Sequence, residues 1–272
     1  MQRIRTSFRL MAQSYRVLMQ DKELMLLPVL SGLCIIAVCA SFLVPLGLTD
    51  PAALESADES AFLLPALLFY IATYTIGFFF QAAVVAGASE HMSGGDPTLG
   101  SALRAAGRRF VPLLLWGVVA GTVGMVLRAI QERSALAGKL IAAIVGVAWS
   151  LATFFMVPVI VHEDLSLRES FKRSWTTFKQ TWGETVVGNA GLSLAAFLIA
   201  LPLIALCVAL FAADLVVAGV ALAVAGIVVL AVFFSALQGV WLAAVYRYAT
   251  TGAAPGGFEG GTIQGAFRAK RS

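Results

Sequence analysis

The chain has 272 residues, of which 60% are hydrophobic and 12% are charged, and its mean hydropathy is +0.89. A soluble domain carries roughly twice this share of charged residues, so the composition excludes an ordinary soluble protein and indicates one that resides in a bilayer. The formal net charge of +4 does not indicate nucleic-acid binding, because the basic residues lie in short segments between apolar runs and suit anionic lipid headgroups.

The first 23 residues have the pattern of a helix lying on a membrane surface. Five apolar residues recur at steps of three and four, and most of the arginines, including Arg3, Arg5 and Arg9, lie off that face. The pattern predicts an interfacial amphipathic helix whose cations reach the headgroups. The apolar members are Ile4, Phe8, Met11, Tyr15 and Leu18.

Six apolar runs follow, each long enough for the roughly 20 residues that a spanning helix needs. They predict an all-α membrane protein with six transmembrane helices, arranged as three hairpins that are each preceded by a cytoplasmic amphipathic helix. Residues 1–250 form one domain in this prediction, and the Gly-rich basic segment 251–272 is a flexible cytoplasmic tail. The runs are Leu24–Leu48, Ala61–Ala88, Phe110–Ile130, Leu140–Val161, Thr185–Ala213 and Leu215–Tyr246.

The distribution of Lys and Arg among the connections predicts the orientation. Of the 19 such residues, 16 lie on the side that holds both termini, and 3 (Arg128, Arg133 and Lys139) lie on the other. Positive residues stay inside, so both termini are expected in the cytoplasm and the acidic loop Asp50–Ser60 outside. The localisation predicted is the cytoplasmic membrane of a prokaryote.

An internal repeat is a further interpretation of the pattern. Each basic segment leads into two spans, the pair Phe79-Phe80 recurs as Phe154-Phe155 and Phe233-Phe234, and residues 14–18 resemble residues 174–178. Three copies of one surface helix and two spans would explain this. Any six-span protein with basic inner loops would show part of the same pattern.

The segment Leu165–Trp182 is expected to be a separate helix at the cytoplasmic interface. Its apolar face would consist of Leu167, Phe171, Trp175, Phe178 and Trp182. In the preceding span, Pro158 cannot donate to the carbonyl of Phe154, which predicts a distortion covered by a neighbouring helix or a hydroxyl. The full set predicted to contact lipid headgroups is Arg3, Arg5, Arg9, Arg104, Arg108, Arg109, Lys172, Arg173, Trp175, Lys179 and Trp182.

Polar side chains within or beside the spans are the remaining candidate sites. Gln81, Ser150, Asn189 and Gln238 either form interhelical hydrogen bonds or line a solute path. A second cluster could hold a divalent metal if the ends of spans two and four meet, but such residues are also normal at helix ends. Its members are Glu90, His91, His162, Glu163 and Asp164. The three cysteines lie in apolar runs without metal-ligand spacing, and no cofactor is expected.

Several short motifs resemble a family of prokaryotic six-span membrane proteins of unknown function. They are Asp21-Lys22-Glu23-Leu24, Trp149-Ser150, Val157-Pro158, Arg173-Ser174 and Thr181-Trp182-Gly183-Glu184. The chain is more loosely similar to the membrane domain fused to some glycerophosphodiester phosphodiesterases. Neither resemblance implies an activity, because the phosphodiesterase chemistry belongs to a soluble barrel that has no counterpart in this sequence.

The sequence therefore favours a non-enzymatic integral membrane protein with a membrane-organising, assembly or structural role. Its expected partner is a bilayer with anionic headgroups at the inner leaflet, and no protein partner is indicated. A permease for a small neutral or amphipathic solute is the alternative. A membrane enzyme that uses the His-Glu cluster is the third hypothesis, although motifs for hydrolases, nucleotide binding and metalloproteases do not occur.

Overall fold

The computed structural model describes residues 12–43, 63–133 and 136–252, and all regular structure in these ranges is helical. The loop Asp50–Ser60, the tail after Gly252, and Arg3, Arg5 and Arg9 lie outside the described residues. The helices are α1 (residues 12–20), a 3-10 turn (Lys22–Met25), α2 (Leu26–Leu43), α3 (Leu63–Met92), α4 (Leu99–Arg108), α5 (Phe110–Arg133), α6 (Leu136–Ala152), α7 (Met156–His162), α8 (Leu167–Ala212) and α9 (Val216–Thr251).

Six helical stretches are long and apolar enough to cross a membrane, which confirms the predicted multi-pass architecture. Their pairing as hairpins and their orientation stay predictions. The stretches are Lys22–Phe42, Leu63–Met92, Phe110–Glu132, Gly138–His162, Ala190–Ala212 and Val216–Thr251.

The described chain divides into two compact units. The terminal unit takes residues 12–28, 87–99 and 179–252, and the central unit takes residues 29–43, 63–86, 100–133 and 136–178. In the terminal unit, α9 buries Leu237, Val240 and Trp241. In the central unit, the buried side chains include Leu113 of α5 and Phe155 of the segment before α7.

Within the central unit, α3 and α5 approach closely along a small-residue face. A Cβ added to Gly117 would meet the Oγ1 of Thr75, and one added to Gly121 would lie 3.1 Å from the backbone nitrogen of Ile71. Small residues allow such backbone approach between membrane helices. The GxxxG spacing of Gly117 and Gly121 thus serves a contact within this chain.

The fourth span is interrupted, as the presence of Pro158 predicts. The helix α6 ends at Ala152 and α7 begins at Met156. The interruption lies upstream of the proline, because Pro158 then occupies the first turn of α7, where backbone N–H groups have no helical acceptor. The proline is tolerated there because the helix has already been restarted.

The helix α8 differs from the prediction of a surface helix followed by a separate fifth span. It runs from Leu167 to Ala212 as one helix of 46 residues, without an interruption at Trp182-Gly183-Glu184. A single helical glycine costs only about 1 kcal/mol relative to alanine, and no proline accompanies Gly183, so nothing at this point ends the helix. The amphipathic segment is therefore helical, as predicted, but it is continuous with the span.

In the terminal unit, the second part of α8, from Lys179 on, is joined to α9 by a short turn. Asp214 in this turn has a positive φ of 58°. A Cβ on Gly226 would meet the side chain of Leu203, and one on Gly219 would meet the ring of Phe211. Gly219 thus lies opposite Phe211, and Gly226 lies opposite Leu203, so these parts of the two helices run antiparallel.

Candidate functional site

The basic residues of the central unit fall into two groups, and the first group is engaged in ion pairs. The guanidinium of Arg109 lies 2.7 Å from a carboxylate oxygen of Asp164. The Nε of Arg173 lies 2.8 Å from Glu163. Both pairs tether the connection between α7 and α8. Two of the arginines that the sequence assigned to lipid thus bind carboxylates of their own chain.

The second group is exposed and includes Arg104 and Arg108 on α4. Within the part of the chain that the structure describes, neither has a carboxylate within salt-bridge distance. The opposite side of α4 buries the small residues Ala102 and Ala106. This helix therefore packs on the protein through alanines and presents arginines outward.

The first part of α8 buries a face of small polar residues that lies beside the apolar face predicted to contact the membrane interface. Four small polar residues at steps of four, three and four are buried: Ser170, Ser174, Thr177 and Thr181. Of the predicted apolar face, Phe178 is buried, while Trp175 is 40% exposed and stacks on Phe178. The side chain of Trp182 lies outside the described residues. The heptad-like spacing of the Ser and Thr residues is the signal that would have indicated this face.

Ser174 fills the interruption of the fourth span. Its hydroxyl donates to the carbonyl of Ala152 at 2.8 Å and accepts from the N–H of Phe155 at 3.2 Å. Both backbone groups lose their helical partners where α6 ends. A hydroxyl was expected at this point, but the carbonyl that it covers is that of Ala152 rather than that of Phe154.

The helix α8 begins with a capping box formed by Ser166 and Glu169. The carboxylate of Glu169 accepts from the hydroxyl of Ser166 at 2.6 Å and from its N–H at 3.0 Å. The N–H of Glu169 points back to the Ser166 hydroxyl at 3.4 Å. These hydrogen bonds lower the pKa of Glu169. The motif Ser-Leu-Arg-Glu fits the S-x-x-E signature of a helix start.

A polar cluster in the terminal unit surrounds His91 at the end of α3. One ring nitrogen, Nδ1, contacts the carboxylate of Asp21, and the other, Nε2, lies 3.0 Å from the side-chain oxygen of Gln20. Burial raises the pKa of Asp21 above its usual range, and the neighbouring Asp96 and Glu23 act in the same direction, while His91 opposes them. Glu23 also accepts from the N–H of Leu99 at 2.8 Å. The cluster ties the entry to the first span to the end of the second.

The end of α3 is closed by a glycine turn and an arginine. Gly94 has a φ of 85°, and the N–H of Gly95 donates to the carbonyl of Glu90 at 3.0 Å, as in a Schellman motif. Arg247 of α9 donates to the carbonyl of Ser89 at 3.2 Å and to the hydroxyl of Ser93. A cation at the carbonyl end of a helix is favourable. Gly94-Gly95 thus serves as a helix cap.

The residues predicted as a possible metal site take part in different contacts. His91 contacts Asp21, whereas Glu163 and Asp164 pair with arginines. His162 and Glu90 are exposed. In the described ranges, no group of three or more His, Cys, Asp or Glu residues is placed to hold a metal ion.

The residues of the candidate solute path occupy different environments. The hydroxyl of Ser150 is exposed and donates to the carbonyl of Gly146 at 2.9 Å, within its own helix. Gln238 is exposed and Gln81 is half-buried. The side chain of Asn189 lies outside the described residues.

No curated protein and no solved structure matches the chain significantly. The looser resemblance to the membrane domain of glycerophosphodiester phosphodiesterases therefore has no support from these comparisons. Residues 60–257, which include five of the six spanning stretches, match a family of unknown function. The chain belongs to the family of unknown function DUF6159.

Proposed function

We propose that this protein is a non-enzymatic integral membrane protein that organises anionic lipid at the inner leaflet of a prokaryotic cytoplasmic membrane, with both termini in the cytoplasm. The observation that carries the proposal is the division of the cations next to the spans. Arg109 and Arg173 neutralise carboxylates, and Arg104 and Arg108 remain exposed without an ionic partner among the described residues.

An exposed tryptophan and lysine on α8 also support a membrane partner. Trp175 and Lys172 are exposed on the first part of α8, and a tryptophan beside cations is typical of the headgroup region. Exposed cations near an anionic surface gain about 1 kcal/mol each. A structural or assembly role needs no buried catalytic group.

Energy transfer from a single tryptophan tests this function. Trp175 is kept as the only tryptophan in the reconstituted protein, and the acceptor is dansyl-labelled phosphatidylglycerol or dansyl-labelled phosphatidylcholine at equal mole fraction. We expect stronger transfer to phosphatidylglycerol and loss of the difference in about 1 M salt, where the screening length falls to about 3 Å. Equal transfer to both lipids in low salt would contradict the proposal.

A permease is the second candidate, and the interrupted fourth span favours it. Discontinuous membrane helices form the binding sites of many transporters. Here both backbone groups that the interruption frees at Ala152 and Phe155 are bound by Ser174. Proteoliposome swelling in small neutral solutes separates the two functions: swelling faster than that of protein-free vesicles would favour the permease and contradict the organising role.

A further inference from the structure

Two arginines of the central unit, Arg104 and Arg108, lie one helical turn apart on α4. Residues four apart on a helix are neighbours, with Cβ atoms about 5–6 Å apart, and two like charges at this spacing repel. Both side chains are exposed and without an ionic partner among the described residues. The next arginine, Arg109, is engaged by Asp164. Among the described residues, the outward pair is thus a local excess of positive charge without a paired carboxylate.

Apolar residues of the following span adjoin this pair in the chain. The helix α5 begins at Phe110, and Phe110, Val111 and Leu115 are 46%, 63% and 51% exposed. Exposed apolar side chains at the start of a spanning helix are covered by acyl chains in a bilayer. Arg108 therefore precedes by two residues, and Arg104 by six, an exposed apolar surface that acyl chains would cover in a bilayer.

We infer that Arg104 and Arg108 together bind the phosphate of one anionic phospholipid headgroup. A guanidinium presents donors in a planar fork that matches phosphate oxygens, and two such forks can share one phosphate. The inference rests on the proposed function and deepens it, because it assigns a discrete site to a surface that would otherwise attract lipid by charge alone.

Lipid titration of the full-length protein in neutral detergent tests the site, with short-chain phosphatidylglycerol as the probe and phosphatidylcholine as the reference. Loss of both cations in Arg104→Gln/Arg108→Gln is expected to weaken phosphatidylglycerol binding about 30-fold. Each single glutamine variant should lose clearly more than the roughly fivefold that two independent and equal contributions would give, because one phosphate bound by both arginines gives coupled rather than additive effects.

The matched control for charge is Arg104→Lys/Arg108→Lys, which keeps both positive charges and removes the planar forks. A discrete site predicts clearly weaker binding, whereas attraction to a diffuse charge predicts wild-type affinity. Wild-type affinity of the lysine variant, or additive single variants, would overturn the site and leave the proposed function intact. Equal binding of phosphatidylglycerol and phosphatidylcholine by the wild-type protein would instead contradict the proposed function. Competition by millimolar inorganic phosphate as strong as that by the lipid would overturn the lipid assignment.

Discussion

Ser174 is the residue on which the geometry of the fourth span depends. It is fully buried, and it satisfies one donor and one acceptor where α6 ends. Ser174→Ala would remove the hydrogen bonds to the N–H of Phe155 and the carbonyl of Ala152, each of which contributes about 0.5–1.5 kcal/mol to stability. We expect a lower free energy of unfolding, measured by denaturant titration in detergent.

The control for this variant is Ser193→Ala on the same helix, because Ser193 is exposed. It should change the free energy of unfolding by no more than about 0.5 kcal/mol. If the two alanine variants are equally stable, the hydroxyl of Ser174 does not hold the interruption together.

Glu169 makes the start of α8 sensitive to pH. Its pKa is lowered in the folded protein by hydrogen bonds from Ser166. A lowered folded-state pKa stabilises the folded protein above the unfolded-state pKa of about 4.3, and this stabilisation is lost as the pH falls through the folded-state pKa. Glu169→Gln should therefore reduce stability at neutral pH and have little effect in strong acid. Unfolding midpoints at pH 7 and at acid pH provide the measurement, and an equal effect at both would contradict the capping role.

At the scale of single residues, the sequence predicts the local chemistry of a side chain better than it predicts the residues that the side chain contacts. Pro158 correctly indicated an interrupted span, since its missing N–H is a local property. The position of the interruption depends on Ser174, which lies 22 residues from Ala152 in the chain. A local sequence pattern does not show which residues so far apart will be in contact. The sequence also does not predict the ion pairs of Arg109 and Arg173, because the pattern around both arginines fits a headgroup interface equally well.

Among the elements, the contact between α3 and α5 offers the clearest test. Gly117→Ala would place a Cβ against the Oγ1 of Thr75 and 3.1 Å from its Cα, so the helices must separate. Overpacking of this kind costs about 1–3 kcal/mol. The loss of stability should appear in the same detergent unfolding measurement.

Gly77 supplies the matched control on α3, since a Cβ there would meet nothing within 4 Å. Gly77→Ala should be neutral or stabilising by up to about 1 kcal/mol, because alanine favours the helix. A destabilised Gly77→Ala together with a neutral Gly117→Ala would refute the close approach at Gly117.

Helix existence was predictable from hydropathy alone, because every spanning run must satisfy its backbone internally. The residues at which the helices begin and end were not predictable from hydropathy. Gly183 looked like a boundary, but its intrinsic cost is small beside the hydrogen bonds of a continuous α8. The buried Ser and Thr face of α8 was also missed, because amphipathicity was judged by apolar residues, and small hydroxyls pack closely between helices.

For the whole molecule, the distribution of Lys and Arg predicts the topology. A reporter fused at Ser56 should be active outside and one fused near the C-terminus should be active inside, because 16 of the 19 cations lie on the side of the termini. Phosphatase and fluorescent-protein fusions measure this directly. An external C-terminus together with an external Ser56 would require an even number of crossings between them and would contradict the six spans, which place five there.

The hydroxyl of Ser174 and the ring of Pro158 have a consequence for how the family varies. Without the proline, an unbroken fourth span would satisfy the backbone groups of Ala152 and Phe155 within the helix, and a buried hydroxyl opposite them would lack a role. Without the hydroxyl, an interrupted span would lose the two hydrogen bonds that Ser174 makes to those groups. Positions 158 and 174 should therefore be replaced together between family members. Sequences that lack a proline at position 158 should tolerate Ala or Gly at position 174. Sequences that keep the proline should retain Ser or Thr at position 174. An alignment in which the two positions vary independently would show that another group can fill the interruption.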